Sequence, residues 1–340
     1  MATIKDVAKR AGVSTATVSN VLSGRRYVSP RLREAVLEVV EDLDYRPDNV
    51  AKSLRSRRTH AIGVSVPDLT NPFFNGIIEA IEAAAYDDGY QVILVGSRED
   101  ASREAERIHA LVDRRVDGLV IAPTQDDLPY REFIERSRTP TVIVDRGSSD
   151  DSFDFVGVEN RQAAREATRH LVRLGHRDIA FLASTFDLDN IRGRLAGYRE
   201  ALDEAGLPYQ RRLAVACGTS IAGGERRACA LLRRPDPPTA LFCATNPMAL
   251  GAVRAIRSLN VSFPNDISLL SFDDFDWTTL LEPYLTTVAQ PVRELGETAW
   301  RLLKARLDGD RTPSRRVLLD CTLHVRQSTR PPHAPRTATP

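Results

Sequence analysis

Eleven side chains in this 340-residue sequence stand where a ligand could be held, each just beyond a short apolar run. Asp68, Phe73 and Phe74 follow AIGVSV, Thr124 follows GLVIAP, Arg146 follows TVIVD and Glu159 follows FVGV. Asn190 and Arg194 open the segment after DIAFLAS, Asn246 follows LFCAT, and Asp273 follows LLSF with Trp277 four residues on. In open α/β sheets ligands sit beyond the carboxyl ends of the strands, so these positions should line a cleft. The chemistry they offer is non-covalent. Carboxylate, guanidinium and amide groups pair with hydroxyls, and flat rings cover an apolar face, as a sugar ring requires. Each also has a plainer reading. Asp273 caps a turn, Asn246 is an N-cap before Pro247, Trp277 belongs to the core, and Glu159 serves a hinge. Covalent and cofactor chemistry find no motif: there is no G-x-G-x-x-G after a strand, no P-loop, no G-x-S-x-G, and the six histidines are scattered. No catalytic residue, cofactor or metal site is expected, and the chain is not read as an enzyme.

A second kind of chemistry lies at the start, in TIKDVAKRAGVSTATVSNVLSG, residues Thr3 to Gly24. Thr3 and Asp6 form a capping-box pattern, with Asp in place of Glu or Gln. Ile4, Val7, Ala8 and Ala11 then fall on one helical face. Gly12 permits a sharp turn, and Ser14 caps a second helix whose inner face is Val18, Val21 and Leu22. A third helix follows Ser29-Pro30, with Leu32, Val36, Val39, Val40 and Leu43 inward. This is a helix-turn-helix pattern. Short polar side chains near the start of the second helix can reach base edges in a major groove. Lysines and arginines such as Lys5 and Arg25 can bind phosphates. The alternative is a small three-helix bundle with a solvated hydroxyl-rich face.

The segment YRPDNVAKSLRSRRTHAIGV follows, Tyr45 to Val64. Asp48 can cap a helix of about seven residues from Asn49, too short to stand alone in water. Leu54 sits among Lys52, Arg55, Arg57 and Arg58 with only Val50 and Ala51 as apolar company. An apolar side chain in a basic segment suits a wedge that unstacks a base step in the minor groove; a plain linker is the other reading.

Charge divides accordingly. Residues 1–58 carry 12 Lys/Arg against 7 Asp/Glu, and the remainder 35 against 39, within a net charge of +1. A basic head on an acidic body is the asymmetry of a chain of which one part meets a polyanion. The hydrophobic share of 42% is that of an ordinary globular protein. No apolar run reaches the roughly 20 residues needed to cross a bilayer, and the start lacks a signal-peptide stretch, so a cytoplasmic location is expected. The four cysteines have no C-x-x-C spacing and read as small buried residues in a reducing compartment. Beyond residue 60, short apolar runs alternate with helical periodicity, which predicts parallel α/β sheets, enough for two.

Together these signatures resemble the lactose-repressor (LacI) family of bacterial transcription regulators. The likeness continues through VPDLTNPFFNGIIEAIEAAA, VDGLVIAP, GRLAGYREAL, SLLSFDD, LTTVAQP and LHVRQST. It implies a mixed α and α/β fold: a three-helix head at 1–46, a hinge helix or linker at 47–59, and a periplasmic-binding-protein-like core at 60–330. The core would comprise two doubly wound parallel-sheet subdomains, about 60–160 with 290–320 and about 161–288 with 321–330, before a disordered tail at 331–340. The chain should cross between them near 159–161, 287–291 and 320–324. The resemblance implies a homodimer on a palindromic operator of double-stranded DNA, with a central CpG step prised open by paired Leu54. The DNA-contacting set would be Thr3, Lys5, Ser14, Thr15, Ala16, Thr17, Ser19, Asn20, Arg25, Tyr45, Asn49, Ala51, Leu54 and Arg55. The effector set would be Phe73, Thr124, Arg146, Glu159, Arg194, Asn246, Asp273 and Trp277, and the effector a sugar, with no membrane partner. The sequence departs from the family in having Asn246-Pro247 where many relatives have Asn-Asp. Where purine-binding members carry Trp and Arg, it has Arg146 and Leu188. A corepressor- or phosphocarrier-dependent regulator of the same fold is the alternative, and a sugar-binding protein without DNA binding a more distant one. Leu54→Ala is expected to lower operator affinity at least about tenfold in a titration at fixed salt; unchanged binding would refute the wedge.

Overall fold

The computed structural model describes residues 2–23, 26–45, 58–147, 152–280 and 282–332. It divides into two compact units, one ending at Thr59 and one starting at His60.

The first unit holds α1 (Ile4–Arg10), α2 (Thr15–Ser23) and α3 (Pro30–Asp42). Thr3 closes its capping box in full: its Oγ1 accepts from the Asp6 N–H, and its own N–H donates to Asp6 Oδ2 at 2.9 Å. Gly12 takes the left-handed conformation at φ +66°, a turn for which a Cβ would be a penalty. Ser14 Oγ accepts from the Thr17 N–H at 3.1 Å and so starts α2. Val7, Ala8, Val18, Val21 and Val36 form the buried centre. Leu32, expected inward with Val36, is only half-buried.

The second unit contains two six-stranded sheets. The first has the order β11-β5-β4-β3-β1-β2, all parallel, from β1 (Ala61–Val66), β2 (Gln91–Gly96), β3 (Gly118–Ile121), β4 (Thr141–Val144), β5 (Asp154–Val158) and β11 (Arg316–Leu319). The second has the order β12-β10-β9-β8-β6-β7, from β6 (Ile179–Ala183), β7 (Ala214–Ala216), β8 (Ala240–Cys243), β9 (Ser268–Phe272), β10 (Thr286–Ala289) and β12 (Thr322–His324). Among the described residues, only β12 runs antiparallel there. The helices between strands are α4 (Pro72–Asp87), α5 (Ala101–Asp113), α6 (Arg131–Ser137), α7 (Asn160–Arg173), α8 (Asp189–Glu204), α9 (Ile221–Leu232), α10 (Asn246–Ser258) and α11 (Val292–Leu307). The inner strands are buried along their length, as strands covered on both faces must be. The edge strands β11 and β12 alternate exposed and half-buried residues; neither is among the apolar runs read from the sequence, although β11 carries the short run VLL.

The chain passes from the first sheet to the second between β5 and α7, returns between β10 and α11, and leaves again between β11 and β12. Cys321, at the third passage, packs against the apolar cores of both sheets. Helices α7 and α8 approach so closely that a Cβ on Gly197 would lie 2.0 Å from the Arg161 carbonyl oxygen. Both copies of the fold therefore reverse strand order, the first between β1 and β3 and the second between β6 and β8. No described helix is long and apolar enough to cross a membrane.

One buried charge pair ties α11 to the first sheet. Asp154, whose side chain is fully buried, accepts from Arg306 Nε at 2.7 Å and Nη2 at 2.8 Å, and from the Arg315 N–H at 2.7 Å. Burial alone would raise its pKa, but these donors hold it below the usual carboxylate range. A depressed carboxyl stabilises the fold at neutral pH and loses that contribution as pH falls through its own pKa, below about 4. Asp154→Asn is expected to cost about 3 kcal/mol in denaturant unfolding at pH 7 and to flatten the acid limb of the stability profile. An unchanged acid limb would contradict this account.

Candidate functional site

At the head, the start of α2 leaves Thr15, Ala16 and Ser19 exposed, with Thr17 and Asn20 half-buried. The cause is the helical period: Val18 and Val21 point into the core, which leaves these short side chains outward. Thr3 and Ser14 spend their hydroxyls on the caps, and Ser14 Oγ also lies 2.9 Å from Thr17 Oγ1. Lys5 is exposed, whereas Tyr45, expected against DNA, is half-buried against the head's core. Arg25, Asn49, Ala51, Leu54 and Arg55, with the expected hinge helix, lie outside the described residues.

In the core, the two strand-order reversals bring their loops to one small cavity of about 40 Å³. The first sheet supplies Asn71, Phe73 and Phe74 after β1, and Asp145 and Arg146 after β4. The second supplies Ser184, Leu188, Asn190, Ile191 and Arg194 after β6, Thr245 after β8, Asp273 after β9 and Gln290 after β10. Every one follows the carboxyl end of a strand, the place open α/β sheets reserve for ligands. Asn71 is also the N-cap of α4, its Oδ1 accepting from the Phe73 N–H at 3.1 Å.

The charged groups are deeply buried and held by partners. Arg146, 8% exposed, donates from Nη1 and Nη2 to the two carboxylate oxygens of Glu99 at 2.8 and 2.9 Å. Its Nε lies 3.8 Å from Asp145. Burial would lower its pKa, but Glu99 overrides that and raises it. Arg194, 2% exposed, donates from Nε to Asn160 Oδ1 at 2.7 Å and from Nη1 to the Ala244 carbonyl at 2.6 Å. Its guanidinium lies 3.7 Å over the Phe272 ring. Asp273 stands in the left-handed region at φ +74°. Its Oδ2 accepts from the Asn246 N–H at 3.1 Å and its Oδ1 from Gln290 Nε2 at 2.6 Å. Asp145 also has positive φ, +65°, and accepts from Asn190 Nδ2 at 3.3 and 3.4 Å. Burial pushes both carboxyls up, with Arg194 opposing in each case. Backbone strain at two adjacent carboxylates persists only where the surroundings hold it, which is common at binding sites.

Among the described residues, two polar atoms of the lining have no hydrogen-bond partner, Thr245 Oγ1 and Gln290 Oε1. Buried polar atoms are normally satisfied, so these are ready acceptors or donors for a polar molecule.

Of the residues expected to meet an effector, Phe73, Arg146, Arg194 and Asp273 line the cavity. Four do not. Thr124 gives its hydroxyl to Glu104 at 2.6 Å and meets Ser97 at 2.8 Å. Glu159 is the N-cap of α7 at the first passage. Asn246 is buried and accepts from Trp277 Nε1 at 3.0 Å, so both stand behind Asp273 rather than on the cavity. Asp145, Asn71, Ser184, Thr245 and Gln290 were absent from the expected set. Gln290 ends the apolar run LTTVAQ, and the strand-end rule applied there would have found it.

The two halves also touch outside the cavity. Asp126, in the loop after β3, accepts from the Asp189 N–H at 3.2 Å and from Arg192 Nη2 at 2.7 Å, both on α8. Asp126→Ala removes both ties. It is expected to speed amide exchange over residues 184–194 by up to about fivefold, the worth of a half-exposed pair; unaltered protection would show that these ties do not hold the cleft.

Comparison with known proteins points to the same fold. Residues 3–48 match the model for bacterial regulatory proteins of the lacI family, and residues 168–329 that for a periplasmic binding protein-like domain. The ribose operon repressor of Escherichia coli (strain K12) is 34% identical over 329 residues, 96% of this chain and 100% of that protein. The transcriptional repressor PurR of Erwinia tasmaniensis is 36% identical over 330 residues, 96% of this chain and 97% of that protein. Among solved structures, the lac repressor dimer bound to operator and an anti-inducer superposes with a TM-score of 0.86 at 30% identity, covering 97% of this chain and 99% of that one. A LacI family regulator from Enterococcus faecium with bound ribose gives 0.72 at 30% identity, covering 80% and 99%.

Proposed function

This chain belongs to the lacI family of bacterial regulatory proteins, and from that premise we propose that it is a dimeric operator-binding repressor controlled by a small neutral sugar. The observation that carries the effector class is the pair of unpartnered buried atoms, Thr245 Oγ1 and Gln290 Oε1, in a cleft whose carboxylates and guanidiniums already have partners. Hydroxyl groups satisfy such atoms in either polarity, and the buried rings of Phe73 and Phe74 suit the apolar face of a sugar. Ribose, bound by the Enterococcus faecium relative, is the first candidate. A purine suits the lining less well, since Arg146 and Leu188 stand at the positions where the purine-binding members carry other residues. The relatives are regulators, and we read this chain as one too, acting in the cytoplasm and not as an enzyme.

The core is assigned to 60–330 and the head to 1–46, with 47–59 joining them. DNA recognition falls to Thr15, Ala16, Thr17, Ser19 and Asn20 on α2, with Lys5 and Arg25 on phosphates and Leu54 as the wedge. Two heads on a twofold-symmetric dimer supply the phosphate contacts that one head lacks at cellular salt.

Control is a matter of linkage. A cavity of about 40 Å³ is far smaller than the ≈ 300 Å³ of a small-molecule site, so a sugar enters only when the two halves part and reclose around it. The ligand then biases the relation between the halves by its differential affinity for the two states, typically worth 1–3 kcal/mol. We take the sign as induction: sugar releases operator. In a fluorescence titration with a selected palindromic site, ribose is expected to weaken binding at least about fivefold. Asp273→Ala is expected to bind that site as the wild type does and to lose the ribose response, with an unchanged circular dichroism spectrum. A site preference no greater than for random duplex would overturn the function, and an undiminished ribose response in the variant would overturn the cleft.

A further inference from the structure

We infer that Glu99 sets the charge selectivity of the cleft: by occupying both Nη groups of Arg146 it makes the site reject phosphorylated and other anionic sugars and accept neutral ones. The inference rests on the sugar reading above and names the class of sugar.

The geometry is specific. A phosphate or carboxylate is ordinarily taken by a guanidinium presenting two parallel N–H groups. The cavity has two guanidiniums, and neither presents that fork. Arg146 has given it to Glu99, with contacts of 2.8 and 2.9 Å. Arg194 has committed Nε to Asn160 and Nη1 to the Ala244 carbonyl. The Glu99 carboxylate matches the charge of Arg146, and the oxygens of Asp145 and Asp273 lie on the same cavity. An anion entering would meet like charge in a site that water scarcely reaches, and such juxtaposition costs several kcal/mol. A neutral polyol escapes that penalty and still finds the remaining N–H groups of each guanidinium, the carboxylate oxygens and the two unpartnered atoms.

Glu99 is also built for this position. Arg98 and Glu99 are consecutive non-glycine residues in the left-handed region, both at φ +57°. The Glu99 N–H donates to the Pro67 carbonyl at 3.1 Å, in the loop that leads to Asn71 and Phe73. Two strained residues in a row turn the chain at the end of β2 so that the Glu99 side chain meets Arg146, 47 positions later. Glu99 does not line the cavity; it is a positioning residue that acts through Arg146.

Two variants separate charge from shape. Glu99→Gln keeps the size and one acceptor but removes the charge; Glu99→Asp keeps the charge but withdraws it from Arg146. Full-length protein is titrated by calorimetry with D-ribose and with ribose 5-phosphate, and its melting temperature is followed in phosphate against chloride at equal ionic strength. The wild type is expected to favour ribose over ribose 5-phosphate by at least about a hundredfold, and Glu99→Gln to narrow that ratio at least about tenfold. Inorganic phosphate should raise the melting temperature of Glu99→Gln and not that of the wild type. Glu99→Asp, which withdraws the carboxylate from the Nη groups but keeps its charge nearby, should narrow the ratio too, though less than Glu99→Gln. Ribose 5-phosphate binding to the wild type as tightly as ribose would overturn the inference, as would a Glu99→Gln variant with wild-type ratio and phosphate response. If Glu99→Gln does not fold, a wild-type ratio of ribose to ribose 5-phosphate affinity in Glu99→Asp overturns it. If the wild type binds neither sugar, the sugar reading fails, and the phosphate arm still decides whether Glu99 shields Arg146.

Discussion

Charge buried between two sheets cannot stand alone, and this constraint shapes the core more than any other. Asp145, Arg146, Arg194 and Asp273 are each less than a tenth exposed, and an isolated ion at such depth would be far too costly to retain. Each is therefore held by a named partner: Asn190 for Asp145, Glu99 for Arg146, Asn160 and a carbonyl for Arg194, Gln290 and a backbone N–H for Asp273. One partner comes from the opposite half. Asn190 follows a strand of the second sheet and serves Asp145 of the first, and Gln290 and Asn160 stand at passages between the halves. Neutralising the site and joining the two sheets are accordingly one structural fact.

That coupling gives a physical meaning to control by a ligand. A molecule that supplies hydroxyls to Thr245 and Gln290 changes the balance of contacts across a junction crossed by three strands of chain, while Asp126 and its partners on α8 contribute a separate, weaker tie. The half-exposed pair contributes little by itself; the buried set decides the energetics. The side chains behind the cavity matter for the same reason. Trp277 holds Asn246, whose N–H holds Asp273, and the plane of Phe272 supports Arg194.

Legibility differed along the chain according to how local the causes were. The head was readable almost residue by residue, since a capping box, a left-handed glycine and a valine stripe are settled within a few positions. Ten of the core's strands follow from their apolar runs, whereas β11 and β12, half exposed on sheet edges, offer only the short run VLL and a single leucine. The cleft was readable in part. Phe73, Arg146, Arg194 and Asp273 follow from the strand-end rule. Thr124 obeys the same rule and yet turns away, because Glu104, 20 residues earlier, takes its hydroxyl.

The sequence by itself determined the elements, the helix-turn-helix and α/β pattern, the basic head and the residues that end each strand, because these depend on neighbours within a turn of helix or a strand's length. Only the tertiary structure decided which of those residues share a cavity, since that depends on where two sheets reverse strand order and face one another. It also decided that Glu99 belongs to Arg146 and Gln290 to Asp273, pairings of groups far apart in the chain that burial of charge enforces and that no local pattern records.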